Sequence, residues 1–450
     1  MAEELDVVRE ALEALLLARV QEGTWRDKAE AKLVGPIKTM EAISCFTSTA
    51  MSFDKLKRID PGFTLPKMDL AALADDLNGI GSFIASKGYA PAPYCDEDFE
   101  RIKVPYGAGK TDFVDTASFV ISTMLGSLVY HEAVANRRLP TQAADYQRIA
   151  KEATIWLLDN AFESEKHAYW SWGPKNVAPD IPSVYFTWSA AVGLAHAYSS
   201  KHSVASDAEK KRIKKTLEKT LRWAESVIVV DSEDSSESAG QRYAVNYKKL
   251  NYTESFNGNA LLVFIAGIFE NVASAGISLN QEKELNVVNT FLSIFRAKDQ
   301  ATCFGDDFHY VRYPDPPERI DYRDRSIDYL LLTSLSWFYR EMRENRLPIA
   351  EEESNELKDY VNYQRRRVIK LRDEHEKLWP APAFRIYTTQ RAIDSLIDWL
   401  RYYYVYQKTG GPAKEEIAAI AILNAFNTYL KDNRENLLAK IKETLKDYGA

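Results

Sequence analysis

The chain has 450 residues, 46% hydrophobic and 27% charged, with a net charge of −7. That composition supplies a large core and excludes global disorder, and the acidic balance excludes a general nucleic-acid surface. Cys45, Cys95 and Cys303 are far apart and form no Cys-x-x-Cys or Cys/His cluster, so neither a disulfide framework nor a metal or other cofactor is expected.

The first predicted element, Glu3–Gln21, is a charged amphipathic helix without the basic start of a signal peptide. No apolar run reaches ~18 residues free of charge, so no membrane span is expected and the expected location is cytoplasmic. Helical periodicity then continues along the chain. Six mostly apolar helices are predicted at Pro36–Met51, Thr111–Tyr130, Pro182–Tyr198, Tyr252–Glu270, Asp324–Glu341 and Tyr387–Tyr406. Between and around them lie amphipathic ones: Met68–Lys87, Gln142–Phe162, Ala205–Val230, Gln281–Arg296, Glu351–Leu378 and a closing Ala413–Tyr448.

The apolar helices start roughly 60 to 75 residues apart, a spacing that reads as an internal repeat. Alternation of one-faced and all-round apolar helices predicts an all-α fold, an α/α toroid of six hairpins plus a closing C-terminal helix, occupying 1–450 as one domain. An open superhelix would alternate in the same way, but it would leave the inner layer wet.

The connections are unequal. Links from inner to outer helices are short, as at Asn136–Thr141, His202–Val204 and Lys408–Pro412. Links from outer to inner helices are long: Tyr89–Lys110, Glu163–Ile181, Asp231–Asn251 and Lys298–Arg323. Loops longer than ~12–15 residues in a compact domain are mostly functional or disordered. In a ring they gather on the face where inner helices begin, and helix N-termini attract anions. The candidate ligand-binding residues are therefore His167, Trp170, Trp172, Tyr243, Asp306, Asp307, His309, Arg312, Asp321 and Arg323, with Asp112 and Asp115 at the start of an inner helix. The expected occupant is a protein partner or a small polar or anionic ligand.

Other motifs have simpler readings. Tyr106–Thr111 ends like a phosphate-binding loop, but Val104 stands where the pattern needs glycine. Asp306, Asp307 and His309 are ligand types without a supporting cluster. The basic run Arg365–Arg367, with Lys370 and Arg372, reads as a solvated helix face or as a site for an acidic partner.

Residues 112–117, DFVDTA, resemble the DxDDTA motif of class II terpene cyclases, the squalene–hopene cyclase group. Pro182–Leu194 is similar to an inner-helix repeat of that superfamily, and Gln21–Trp25 echoes its QW motif. The resemblance covers about a tenth of the chain and implies a toroid. It also implies that the proton-donating position is Val114, which cannot protonate an alkene. Asp112 and Asp115 then serve as N-terminal caps or ligand contacts.

Three functions fit these residues. The leading expectation is a non-catalytic toroid that binds a ligand or partner within an assembly. The first alternative is a carbohydrate-active hydrolase or lyase using paired loop carboxylates with Trp170 and Trp172. The second is a divergent isoprenoid cyclase or lipid binder, which requires a large apolar cavity lined by Phe119, Tyr185, Trp188 and Phe256.

Overall fold

The computed structural model describes residues 2–18, 36–65, 117–118, 121–126, 128, 143–171, 175, 180, 182–202, 204–228, 258–297, 308–311, 319–322, 326–344, 346–379, 385–404 and 406. Among them the helices are α1 (Ala2–Leu17), α2 (Pro36–Met51), α3 (Phe53–Ile59), α4 (Ala143–Asp159), α5 (Val184–Ser199), α6 (Asp207–Val227), α7 (Gly258–Ser274), α8 (Gln281–Ala297), α9 (Ser326–Arg343), α10 (Glu351–Lys370) and α11 (Arg385–Asp398). Two small antiparallel hairpins interrupt them: β1 (Phe162–Glu163) with β2 (Ala168–Tyr169), and β3 (Phe308–Val311) with β4 (Arg319–Tyr322).

The inner helices form a closed ring. α5 lies against α7, α7 against α9, α9 against α11, and α11 against α2. Helical residues 117–118, 121–126 and 128 fill the place between α2 and α5. Gly126 approaches α2 so closely that a Cβ there would lie 1.9 Å from that of Thr47, and Ser122 shares a hydrogen bond with His196 of α5. The protein is thus an all-α toroid, as the alternating periodicity predicts. α4, α6, α8 and α10 coat the ring, and α1 lies across α11 and α2.

Local chemistry explains the layers. α6 turns Ile213, Leu217, Leu221 and Trp223 into the core and keeps most of its lysines outside, the pattern of a helix wet on one side. Its start is set by a capping box: Glu209 N–H donates to Ser206 Oγ at 3.4 Å, and Ser206 N–H donates to Glu209 Oε2 at 2.6 Å. Such a cap is worth about 1 kcal/mol. α5 is buried on several sides and is capped by Ser183, whose hydroxyl accepts from Phe186 N–H.

Several predicted boundaries move. The outer helix expected over Gln142–Phe162 stops at Asp159, and Phe162 enters β1. The one expected over Glu351–Leu378 ends at Lys370. There the Asp373 carboxylate accepts from the N–H groups of His375 and Glu376, and Lys377 takes a φ of 60°. The inner helix expected over Tyr387–Tyr406 is α-helical only to Asp398 and then widens into a π-turn, Trp399–Tyr404.

The basic run is neither a plain solvated face nor an open docking site. Arg365 pairs with Glu4, Arg372 with Glu10 at 3.1 Å, and Arg367 with Asp328 at 2.8 Å. These cations tie α10 to α1 and α9. Among the residues of the run, Arg366 and Lys370 are exposed.

Two corners of the toroid repeat one device. After α4, Trp170 is fully buried; its Nε1 donates to Leu157 O at 2.9 Å, and its backbone N donates to Thr187 Oγ1 at 3.0 Å. After α10, Trp379 is fully buried; its Nε1 donates to Val368 O at 2.7 Å, and its N donates to Thr389 Oγ1 at 3.1 Å. In each, an indole staples the end of an outer helix to the start of the next inner one. The two inner helices also share Tyr-x-Thr, at Tyr185–Thr187 and Tyr387–Thr389, and the two tyrosine hydroxyls stand 3.5 Å apart.

Candidate functional site

The predicted loop residues divide. Asp112, Asp115, Trp172, Tyr243, Asp306, Asp307, Arg312 and Arg323 lie outside the described residues. The β3–β4 register sets the backbone of His309 opposite that of Asp321. Trp170 is not a rim platform: it is the corner staple, sealed from solvent by the helices that it joins. His167 belongs to the β1–β2 hairpin, which lies on outer helix α6. There Lys219 reaches Glu163 at 3.1 Å, Arg222 donates to Lys166 O, and Tyr169 packs on Trp223. Burial, together with the charges of Arg222 and Lys166, holds the His167 imidazole below its ordinary pKa. The structure thus does not gather His167 and Trp170 around one ligand.

A different set of side chains meets inside the ring. A cavity of about 70 Å³ is lined by Ser44, Ser48, Ser118, Ser122, Trp188, His196, Gln390, Arg391 and Asp394, among others. It has room for several waters, since about 10–15 Å³ on this measure admits one. Its walls come from α2, the helical residues near 118–122, α5 and α11. It runs from about one turn into those helices to about four, where Met51 ends α2, deeper than the loop face to which the connections pointed.

The wall is unusually rich in groups that exchange protons or hydrogen bonds. Gln390 Nε2 donates to Ser44 Oγ at 3.2 Å and reaches Asp394 Oδ2 at 3.4 Å. The Ser48 hydroxyl also bonds to the Asp394 carboxylate. Two acceptors remain over. Asp394 Oδ1 and Gln390 Oε1 are both buried and have no hydrogen-bond partner. An unpaired buried acceptor costs about 1–3 kcal/mol, so both atoms call for an incoming donor.

Charge is tuned in the same place. Burial pushes the Asp394 carboxyl up to about 7, against the pull of Arg391. Burial and then the Arg401 charge push the His196 imidazole down to about 4, so it is neutral at pH 7; its Nδ1 lies 3.0 Å from Ser122 Oγ. The Arg391 guanidinium lies over the rings of Trp188 and Tyr387, at 4.7 and 4.9 Å from their centres. Tyr185, Trp188 and Phe264 pack on one another at 5.3–5.7 Å, filling the space behind it. This cavity is small, its hydrogen-bonding groups set in a wall that is mostly apolar by area; Trp188 lines it, whereas Tyr185 is packed between Trp188 and Phe264.

None of Asp394, Gln390, Arg391 or His196 stood out as a site residue in the sequence. One signal was there: the otherwise buried helix from Tyr387 carries Arg391, Asp394, Asp398 and Arg401 at helical spacing. Charges that recur along a buried helix are costly unless they face a polar space.

No family model matches the chain, and no curated protein matches it. Among solved structures, it is similar to cellobiose 2-epimerase from Bacillus thermoamylovorans B4167, an α/α toroid. That match has 12% identity and a TM-score of 0.53, and it covers 88% of this chain and 100% of the other. At that identity the likeness shows a shared toroid fold. A terpene cyclase-like relationship finds no support in it. The likeness also corrects the leading expectation of a non-catalytic binding toroid, since the structural neighbour with this fold is an enzyme.

Proposed function

We propose that this protein is a carbohydrate-active enzyme whose reacting centre is the serine-lined cavity of the inner ring. The observation that carries the reading is the pair of orphaned acceptors, Asp394 Oδ1 and Gln390 Oε1, set among five serine hydroxyls. A polyhydroxylated ligand supplies the O–H donors that those atoms lack. The neighbouring fold, that of a cellobiose 2-epimerase, supports a sugar as the occupant.

The residues favour proton transfer at a carbon beside a carbonyl over glycosidic hydrolysis. Hydrolysis uses two carboxyl groups across the bond. Among the described residues that line the cavity there is one carboxyl, Asp394, and one imidazole, His196. With its carboxyl poised near 7, Asp394 serves as general base when ionised, takes the proton from the carbon beside the carbonyl, and in its protonated form returns it to the resulting enediolate. Neutral His196 accepts or donates a hydrogen bond without bringing a charge to the ligand.

The test is exchange. Reducing sugars, cellobiose, glucose and mannose first, are incubated with the protein in D2O and followed by proton NMR. The reading expects loss of the C2 proton signal and the appearance of an isomer, both abolished in Asp394→Asn. A panel of neutral and charged sugars that neither exchange nor bind at millimolar concentration would overturn it.

A further inference from the structure

Gln390 is a costly residue for its place. It stands three residues after Tyr387 on α11, as Trp188 stands three after Tyr185 on α5, and it is 3% exposed. Burying an amide costs free energy unless each of its groups finds a partner. The stapled corner fixes the backbone here: Thr388 Oγ1 donates to Trp379 O at 3.0 Å, and Thr389 Oγ1 accepts from Trp379 N at 3.1 Å. From that footing the amide nitrogen, with two N–H groups, meets two acceptors. Ser44 Oγ of α2 lies 3.2 Å from it, and Asp394 Oδ2, one turn along α11, lies 3.4 Å from it. Reversing the amide would set Oε1 against the carboxylate oxygen, acceptor against acceptor, so the ionised carboxyl holds one orientation. In that orientation Oδ2 of Asp394 is engaged. The atoms left over are Asp394 Oδ1 and Gln390 Oε1, on two residues that line the same cavity.

We propose that Gln390 is a positioning residue for this site: it occupies Asp394 Oδ2 with an N–H, so that Oδ1 is the oxygen that takes and returns the proton, and it offers its own Oε1 to a hydroxyl of the same ligand. The inference rests on the sugar-enzyme reading for the proton that Oδ1 takes. When the C–H bond beside the carbonyl breaks, its electron pair moves toward the carbonyl oxygen and the proton goes to Oδ1. The return step runs from Oδ1 to the enediolate carbon. The Gln390 N–H stays on Oδ2 through both steps, because that oxygen accepts whether or not its partner oxygen carries a proton. The work of the two carboxyl oxygens is thereby divided by one amide, which Ser44 and the tryptophan corner hold still.

The experiment reads the carboxyl directly and needs no substrate. With 13C-labelled aspartate, and Asp394→Asn for assignment, the Asp394 resonance is titrated in wild type and in Gln390→Met, which keeps the side chain's length without its amide. An N–H donated to a carboxylate favours the ionised form, so Gln390→Met is expected to raise the midpoint by about half a pH unit or more. Around the carboxyl stand Arg391 and Asp398 on its own helix, Cys45 and Ser48 on α2 and His196 on α5, and the substitution leaves all five in place. In the sugar assay the same variant is expected to lower kcat by about 10–100-fold and to move the rising limb of kcat/KM to higher pH. Loss of packing alone would lower activity without moving that limb. An unmoved midpoint in a folded Gln390→Met protein overturns the inference and leaves the sugar reading standing. Should Gln390→Met fail to fold, Gln390→Asn, which withdraws the amide by one methylene, is read in the same way. If wild type exchanges no sugar while the midpoint moves, the sugar reading fails and the hold of Gln390 on Asp394 survives.

Discussion

α5 and α11 are two versions of one part. Each follows a stapled tryptophan, each opens with Tyr-x-Thr, and each stands in the inner ring, yet they face the interior with different chemistry. Aligned on their tyrosines, 202 residues apart, the two helices match Trp188 with Gln390, Val192 with Asp394 and His196 with Asp398. α5 keeps an aromatic, aliphatic face with one imidazole. α11 carries the ions. The shared positions are those that build the corner, and the divergent ones, Asp398 apart, line the cavity. Repeats supply the scaffold because each hairpin must bury the same face, and the site arises where one copy departs from the rest.

That division can be broken by substitution, starting with the largest effect. Asp394→Asn is expected to cut sugar exchange by about 10²–10⁴-fold, the usual reach of one general base, with helical content unchanged by circular dichroism. The corners should respond in the opposite sense. Trp170→Ala and Trp379→Ala are each expected to cost about 3–5 kcal/mol in denaturant unfolding, because a cavity and an orphaned carbonyl are left behind. Unequal losses would show that the two corners are not equivalent.

A smaller test sits behind the cavity. Gly267 of α7 lies under Trp188, and a Cβ there would come 2.5 Å from its Nε1. Gly267→Ala is expected to cost about 1–3 kcal/mol by overpacking and to raise KM through the displaced indole and the Arg391 that rests on it. Calorimetry and steady-state kinetics read both.

The smallest effect is a pH dependence. The Asp394 carboxyl is held at about 7 in the folded chain, well above its ordinary value. Its protonated form therefore favours the fold; this contribution is present below the ordinary carboxylate pKa and is lost as pH rises through about 7. Asp394→Asn keeps a neutral group there at every pH. It is expected to raise the melting temperature over wild type by roughly 2–5 °C at pH 8 and by less at pH 5. A gain that is equal at both pH values would mean that Asp394 ionises freely in the fold. The wild-type rate should rise through about pH 7 as the carboxyl ionises.

The architecture was legible in the residues because periodicity is a local property. Alternating wide and narrow apolar faces, repeated at a steady spacing, require two layers of helices whatever their details. Hairpin ends were less legible. The turn after Lys370 depends on one aspartate accepting from two N–H groups, and the π-turn on contacts from α7 and α9, which periodicity does not register. Trp170 was misread for a related reason. Aromatic and acidic loop residues looked like a rim, but Trp170 is consumed by the ends of two helices that only the fold brings together.

Sequence by itself determined that this chain stacks helical hairpins in two layers, since each repeat must bury the same apolar face; the packing of α11 on α2 closes them into a ring. Only the tertiary structure gathered the ionisable groups of the cavity. Asp394 and His196 are 198 residues apart in the chain and become partners when the ring closes α11 onto α2 and α5. Their protonation is set by burial and by the charges of Arg391, Asp398 and Arg401, and those are properties of a place in space and not of a position in the chain.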